Sequence, residues 1–153
     1  MSLESVLEGA MFRYGKLARQ AVSAVSYLAE KHSSEPNLVS SSEVGKNRNI
    51  PTALAAKLLS QMAAAGLTVG ITGPHGGYRL ARAPGEIHLA EIVSLFERGM
   101  DELPCPIGKG SCSSGELCPL HDDFMKMEEQ SRIFLEQTTL QVFVKKRAQR
   151  GKS

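Results

Sequence analysis

Apolar residues in the first part of the chain recur every three to four positions, which is the spacing of one buried helix face. A first helix is predicted over 17–30, with its apolar face formed by Leu17, Ala21, Ala24 or Val25, and Leu28. Three serines and a glutamate at 40–43 are typical of a helix N-terminus. They predict a second helix of about eight residues, ending near Asn47–Asn49.

A third helix is predicted over 52–66, where the sequence TALAAKLLSQMAAAG consists mainly of strong helix formers. Pro51 marks the turn before this helix, and Gly66 predicts its C-terminal end. Two helices joined by a short turn, the second ending at glycine, predict a helix-turn-helix.

In residues 67–81 the helical spacing gives way to an alternation of larger apolar residues with smaller or polar ones. Val69 and Ile71 alternate with smaller residues, as do Tyr78 and Leu80, and GPHGG at 73–77 predicts a tight turn between them. A β-hairpin directly after the helix-turn-helix predicts a winged helix. Another amphipathic helix is predicted over 87–97.

From about His121 to Gln149 the sequence lacks both glycine and proline. Its apolar positions step by three and four and are Leu120, Phe124, Met127, Phe134 or Leu135, Thr138 and Val142. A helix of about 28 residues would be about 42 Å long, which exceeds the core of one small domain. A dimerisation helix is therefore favoured over a surface helix with one buried face, because helix-turn-helix proteins usually bind as dimers.

The predicted fold class is mostly α with a small β-hairpin wing: a winged helix-turn-helix plus a long C-terminal dimerisation helix. In chain order we expect an N-terminal extension (1–10), a winged helix-turn-helix (11–100), a cysteine loop (101–120), a dimerisation helix (121–149) and a basic tail (150–153).

The charges are unevenly distributed along the chain, although the net charge is only +2. Residues 11–82 carry nine basic and three acidic side chains, whereas residues 83–143 carry four basic and eleven acidic ones. This asymmetry predicts that the winged helix presents a basic face to nucleic acid and that the remainder is acidic.

Composition excludes several classes. No apolar run is long enough to span a membrane, and the N-terminus does not follow the secretory pattern. Three clustered cysteines favour a reducing cytoplasm over a disulfide framework. Neither a catalytic triad, nor a phosphate-binding loop, nor a paired-carboxylate cleft is identified, so an enzyme is not expected.

The cysteines form the pattern Cys105-x6-Cys112-x5-Cys118-x2-His121. Three thiolates and an imidazole suit either a zinc ion or an iron–sulfur cluster. Structural zinc usually includes a closely spaced cysteine pair, which is absent here, so the spacing favours the larger cluster. A metal-free thiol switch, in which one oxidised cysteine is resolved by a second, and a zinc-stabilised interaction module stay open.

Three segments carry a family resemblance: FRYGKLARQAVSAVSYLAE, IPTALAAKLLSQMAAAGL and GPHGGYRLARAPGEIHLAEIV. They resemble the Rrf-two (Rrf2) family of winged-helix transcription regulators over about Phe12 to Val142. The cysteines resemble those of its iron–sulfur members, the IscR-type and NsrR-type repressors. The resemblance implies a homodimer that binds double-stranded DNA at a palindromic promoter site and changes its affinity with cluster state.

The resemblance also suggests the ligands. His121 stands where IscR-type members have the histidine that ligates a 2Fe–2S cluster. NsrR-type members use an acidic residue of the partner chain for a 4Fe–4S cluster, and Arg19 stands near that position here. Cys105, Cys112, Cys118 and His121 are thus the expected ligands, with 2Fe–2S favoured over 4Fe–4S. An ordinary histidine near the start of the last helix is the alternative for His121. The first cysteine spacing is one residue longer than in the family.

The family register also gives the expected DNA contacts. Pro51, Ala53, Leu54, Ala56 and Lys57 occupy the base-contacting stretch of the third helix, and Lys57 and Gln61 are the side chains best placed to hydrogen-bond. The expected phosphate contacts are Ser40, Ser41, Ser42, Lys46, Arg48 and Thr52. In the wing, Thr72 replaces the arginine that often precedes Gly-Pro in the family. His75 at the wing tip is either a DNA contact or a solvated turn residue, and Arg79 flanks the second strand.

Overall fold

The computed structural model describes residues 15–35, 37–97 and 119–144. Its helices are α1 (Lys16–Glu30), α2 (Ser41–Arg48), α3 (Thr52–Ala64), α4 (Leu89–Phe96) and α5 (His121–Gln137), and its strands are β1 (Thr68–Ile71) and β2 (Gly77–Leu80). A short 3-10 turn covers Pro84–Glu86. The mostly helical fold, the helix-turn-helix and the wing predicted from the pattern are therefore confirmed. Within the described residues, no helix has the length and apolar character needed to cross a membrane.

The first three helices pack around one apolar core. Alanines on α1, including Ala18, Ala21 and Ala24, are fully buried, and their small side chains let neighbouring helices approach closely. From α3, Leu58, Leu59 and Met62 fill the space between α1 and the sheet, leaving almost no exposed area on these side chains. The apolar face of each helix thus fixes its rotation and determines which polar residues point outward.

The wing is a two-stranded antiparallel hairpin in which Thr68 pairs with Leu80 and Ile71 with Gly77. The backbone N–H of Gly76 donates to the carbonyl of Gly73 at 3.0 Å and closes the predicted turn. The sequence pattern did not reveal a further pairing on the other side of β2.

Val39, directly before α2, pairs with Tyr78 of β2. The Val39 N–H donates to the Tyr78 carbonyl at 2.9 Å, and the Tyr78 N–H donates to the Val39 carbonyl at 2.8 Å. A Cβ on Gly77 would lie 2.7 Å from the Val39 carbonyl oxygen, so glycine permits this close approach. The wing is therefore tied to the segment that enters the helix-turn-helix.

The last helix is shorter than predicted. A continuous helix over 121–149 is wrong at 138–140, because α5 ends at Gln137 and the chain turns there. Leu140 is fully buried; its N–H donates to the Ile87 carbonyl at 3.0 Å, and the Thr138 carbonyl accepts from the Leu89 N–H at 2.9 Å. Burial of Leu140 and pairing with 87–89 override helix continuation, and residues 141–144 are helical again.

Exposed apolar side chains recur along α5. Leu120, Met127 and Phe134 are each more than 40% exposed and lie seven residues apart, so they share one face. Leu135 faces the protein core instead. Arg132 pairs with Glu129 and Glu136 along the helix surface. An exposed apolar row on a helix that also has a buried contact suits association with a second chain.

Candidate nucleic-acid interface

A close helix crossing sets the geometry of the helix-turn-helix. A Cβ on Gly45 would lie 2.5 Å from the Ile50 carbonyl oxygen, so only glycine lets α2 approach the turn this closely. Asn49 ends α2 in the left-handed conformation, with φ 55° and ψ 47°. The N–H of buried Ile50 then donates to the Gly45 carbonyl at 2.9 Å. These contacts fix the direction in which α3 leaves the turn.

The recognition helix α3 has two distinct faces. Its buried face consists of Ala55, Leu58, Leu59 and Met62. The other face exposes Thr52, a predicted phosphate contact, together with the predicted base contacts Ala53, Lys57 and Gln61. Leu54 and Ala56, from the same predicted stretch, are half-buried. Because the apolar face is locked into the core, this polar face is the one that α3 can present to a groove.

The N-terminus of α2 supplies the predicted phosphate contacts Ser40, Ser41 and Ser42, whereas Lys46 lies in the last turn of the helix. Ser40 caps the helix by accepting from the Glu43 N–H at 3.1 Å, which leaves its own O–H available as a donor. Ser42 and Lys46 are exposed, whereas Ser41 is half-buried. Exposed donors near a helix N-terminus suit a phosphate oxygen.

Arg48 lies in a different environment from the other predicted phosphate contacts. Its Nη2 pairs with Glu30 at 2.7 Å, and its Nε donates to the Ser23 carbonyl at 3.1 Å. Its guanidinium also stacks 5.1 Å from the centre of the Tyr27 ring. The structure therefore directs Arg48 back onto α1, where it holds the end of α2 in place.

Tyr27 connects α1 to the other end of α2. Its hydroxyl donates to Oε1 of Glu43 at 2.7 Å. Burial, followed by the bond to Glu43, raises the pKa of Tyr27 above its ordinary value. Sequence reasoning missed this residue, because a tyrosine among the apolar residues of α1 carries no signal of its partner.

The wing residues divide between two places. His75 is exposed within the Gly73–Gly76 turn, at the wing tip as predicted. Arg79 instead lines a groove between β2 and the C-terminal end of α1, where its Nη1 donates to the Leu80 carbonyl at 3.2 Å. The structure therefore groups Arg79 in that groove with Lys31, the residue that follows α1.

The predicted metal ligands can be compared with the structure only in part. Cys105, Cys112 and Cys118 lie outside the described residues. His121 is the first residue of α5 and is half-buried. Among the described residues, no group of three or more histidine, cysteine or carboxylate side chains is arranged to hold a metal ion.

The polar face of α3, the capped start of α2 and the wing together form a winged helix-turn-helix. A family model described as Rrf2, iron-dependent transcriptional regulator, matches residues 14–146. The chain belongs to the Rrf2 family. It is 32% identical over 127 residues to the HTH-type transcriptional regulator IscR of Xenorhabdus nematophila, covering 83% of this chain and 76% of the relative. It is 30% identical over 122 residues to IscR of Cronobacter sakazakii, covering 80% and 74% respectively.

Two solved structures share this fold. The global cysteine regulator CymR of B. subtilis superposes with a TM-score of 0.67 at 22% identity, covering 86% of this chain and 95% of that one. T. potens IscR gives a TM-score of 0.66 at 21% identity, with 86% and 85% covered. The chain is therefore an Rrf2-type transcription regulator with a winged helix for binding DNA.

Proposed function

We propose that this regulator binds a palindromic promoter site as a homodimer and represses transcription, with an affinity set by an iron–sulfur cluster. The observation that carries the DNA part is the two-faced α3, which buries its apolar side and exposes Thr52, Lys57 and Gln61. As the chromosome is its target, the protein would act in the cytoplasm.

The proposed DNA contacts follow from exposure. Ala53, Lys57 and Gln61 face the bases, while hydroxyls and one amine at the edge of the helix-turn-helix face the phosphates, and His75 approaches from the wing. The proposed phosphate contacts are Ser40, Ser41, Ser42, Lys46 and Thr52. Arg48 and Arg79 are left out of this set, because the first is paired with Glu30 and the second lies in the groove beside α1.

The homodimer is supported by the exposed row on α5. Leu120, Met127 and Phe134 repeat at seven-residue intervals, the spacing at which one helix packs against another. Two-fold pairing of the protomers would place two winged helices on half-sites of opposite orientation, which matches a palindrome.

The cluster is supported by the chemistry of the donor set. Three cysteines fall within 105–118, and His121 follows at the first position of α5. These residues suit a 2Fe–2S cluster, because thiolate and imidazole are both established ligands of that group. Such a cluster supplies a centre that responds to oxygen, nitric oxide or iron limitation.

The chain itself offers a path from these ligands to the winged helix. His121 begins α5, and Cys118 precedes it by three positions in the sequence. This helix contacts α4, and the chain after it returns to residues 87–89. Fixing the start of α5 would therefore constrain α4 and, through a homodimer, the spacing of the two wings.

Purification without oxygen, followed by iron, sulfide and zinc assays and an absorption spectrum, tests the cofactor. We expect iron and acid-labile sulfide with visible colour, and Cys112→Ala should remove both and change operator affinity. The matched control is Ser113→Ala in the same segment. Zinc without iron would favour the interaction module. Metal-free protein whose DNA affinity responds reversibly to peroxide and thiol would favour the thiol switch.

Selection of genomic fragments, followed by mobility shifts at several salt concentrations, tests the DNA part separately. We expect affinity to fall steeply with salt, because bound phosphates release counterions. Failure to enrich any inverted repeat would contradict the palindromic site.

A further inference from the structure

A groove that is not lined by the proposed DNA contacts lies between the end of α1 and β2. Its volume is about 430 Å³, and its apolar lining includes Leu28, Val39 and Leu80. The polar lining includes Lys31, His32 and the serines that follow α1, together with Arg79 and Arg82 on or after β2. A volume of this size fits a small metabolite.

The groove has excess positive charge. Lys31, Arg79 and Arg82 stand against a single carboxylate, that of Glu35, among its lining residues. Arg82 is already paired with Glu91 at 2.7 Å. Within the described part of the chain, neither Lys31 nor Arg79 has a carboxylate partner: Lys31 stacks over Tyr27, and Arg79 donates to a backbone carbonyl. Two cations are thus available to a ligand with negative charge.

The groove also contacts the joint between the wing and the helix-turn-helix. Val39 and Tyr78 both line it, and they are the residues joined by reciprocal backbone hydrogen bonds. Val39 immediately precedes Ser40, the cap of α2. A molecule in the groove would therefore press on the one described pairing that links β2 to the entrance of α2.

We propose that this groove binds a small anionic metabolite carrying a phosphate or carboxylate group, held by Lys31 and Arg79, and that its binding changes operator affinity. The effect on the operator rests on the proposed function, whereas the binding itself does not. The described lining of the groove includes no cysteine, so Cys112→Ala should retain binding.

Titration calorimetry of the full-length protein with pyrophosphate and with succinate tests binding without DNA. Saturable binding of either probe is expected, and the stronger probe identifies the group. Lys31→Gln and Arg79→Gln should each weaken binding about tenfold, equivalent to about 1.4 kcal/mol. Lys16→Gln, at the opposite end of α1, should leave it unchanged. Absence of saturable binding, or equal affinity in all variants, would overturn the proposal.

Two further measurements distinguish ligand binding in the groove from a loss of folding and from direct contact of the groove with DNA. In the unaltered protein, the amide resonances of Val39 and Tyr78 should shift on titration, and resonances that remain still would overturn the placement. In probe-free buffer, Lys31→Gln should keep its operator affinity and salt slope. A slope lowered by about one per protomer would show instead that the groove cations contact DNA phosphates.

Discussion

The hydroxyl of Tyr27 donates a 2.7 Å hydrogen bond to Oε1 of Glu43 and so ties α1 to the first turn of α2. The backbone N–H of Glu43 is at the same time bound by the Ser40 hydroxyl. Glu43 is thus held at both its backbone and its side chain. These bonds fix the position of the first turn of α2, which carries the serines proposed to contact phosphate.

Replacing Tyr27 by phenylalanine should lower the free energy of unfolding by about 1 kcal/mol, because a hydrogen bond to a partly exposed carboxylate is lost. Urea unfolding at pH 7 measures this change. Tyr78→Phe is the matched control, because the Tyr78 hydroxyl has no hydrogen-bond partner among the described residues. Equal midpoints for Tyr27→Phe and the unaltered protein would contradict the role of the bond.

The same pair predicts a pH dependence. The folded-state pKa of Tyr27 is raised above 10.0 by burial and then by Glu43, so its stabilising effect is complete below the unfolded-state pKa and is lost as the pH rises through the folded value. The stability difference between the unaltered protein and Tyr27→Phe should therefore shrink above pH 10. A difference that grows with pH would show that the sign is wrong.

Gly45→Ala should destabilise the protein by about 1–3 kcal/mol, because the new Cβ meets the Ile50 backbone rather than a mobile side chain. It should also weaken DNA binding by redirecting α3. Gly85→Ala serves as the control, since its Cβ would meet nothing closer than 3.8 Å. Thermal melting and mobility shifts measure both effects, and equal melting temperatures would refute the steric argument.

Leu140→Ala should lower the free energy of unfolding by about 2–4 kcal/mol, because it opens a cavity beside Ile87 and α4. Val142→Ala, two residues later and 45% exposed, should cost far less in the same urea experiment. A similar loss in the free energy of unfolding at the two positions would mean that the burial of Leu140 does not stabilise the turn.

Lys46→Gln should reduce operator affinity and lower the slope of log K against log salt concentration by about one per protomer, because one phosphate contact is lost. Lys16→Gln, on the outer end of α1, should leave the slope unchanged. Mobility shifts between 50 and 200 mM salt, concentrations over which the electrostatic contribution changes strongly, measure the slope. An unaltered slope for Lys46→Gln would remove that residue from the contact set.

Helix ends and turns could be predicted from the sequence, because they depend on residues that are close together in the chain. The capping serine at 40, the left-handed stop after α3 at Gly66 and the glycine-rich wing turn each depend on neighbours within a few residues, so their positions were predictable. The exposed face of α3 followed as well, because its apolar period determines which side is buried.

Features that depend on distant partners were not predictable in this way. Arginine is a residue type that commonly binds phosphate, but the guanidinium of Arg48 is paired with Glu30, eighteen residues earlier in the chain. The Val39–Tyr78 pairing and the turn at Leu140 likewise join segments that are far apart along the chain. The cysteine ligands remain a prediction, because they lie outside the described residues.

The return of Leu140 to the core limits how this protein can be recombined with its relatives. A chimera joined at the start of α5 would carry a foreign residue into the pocket that Leu140 fills and would replace the strand-like contact with 87–89. The C-terminal part of the chain therefore cannot be exchanged on its own at residue 121. A working exchange would need to transplant the matching 87–89 segment together with the helix.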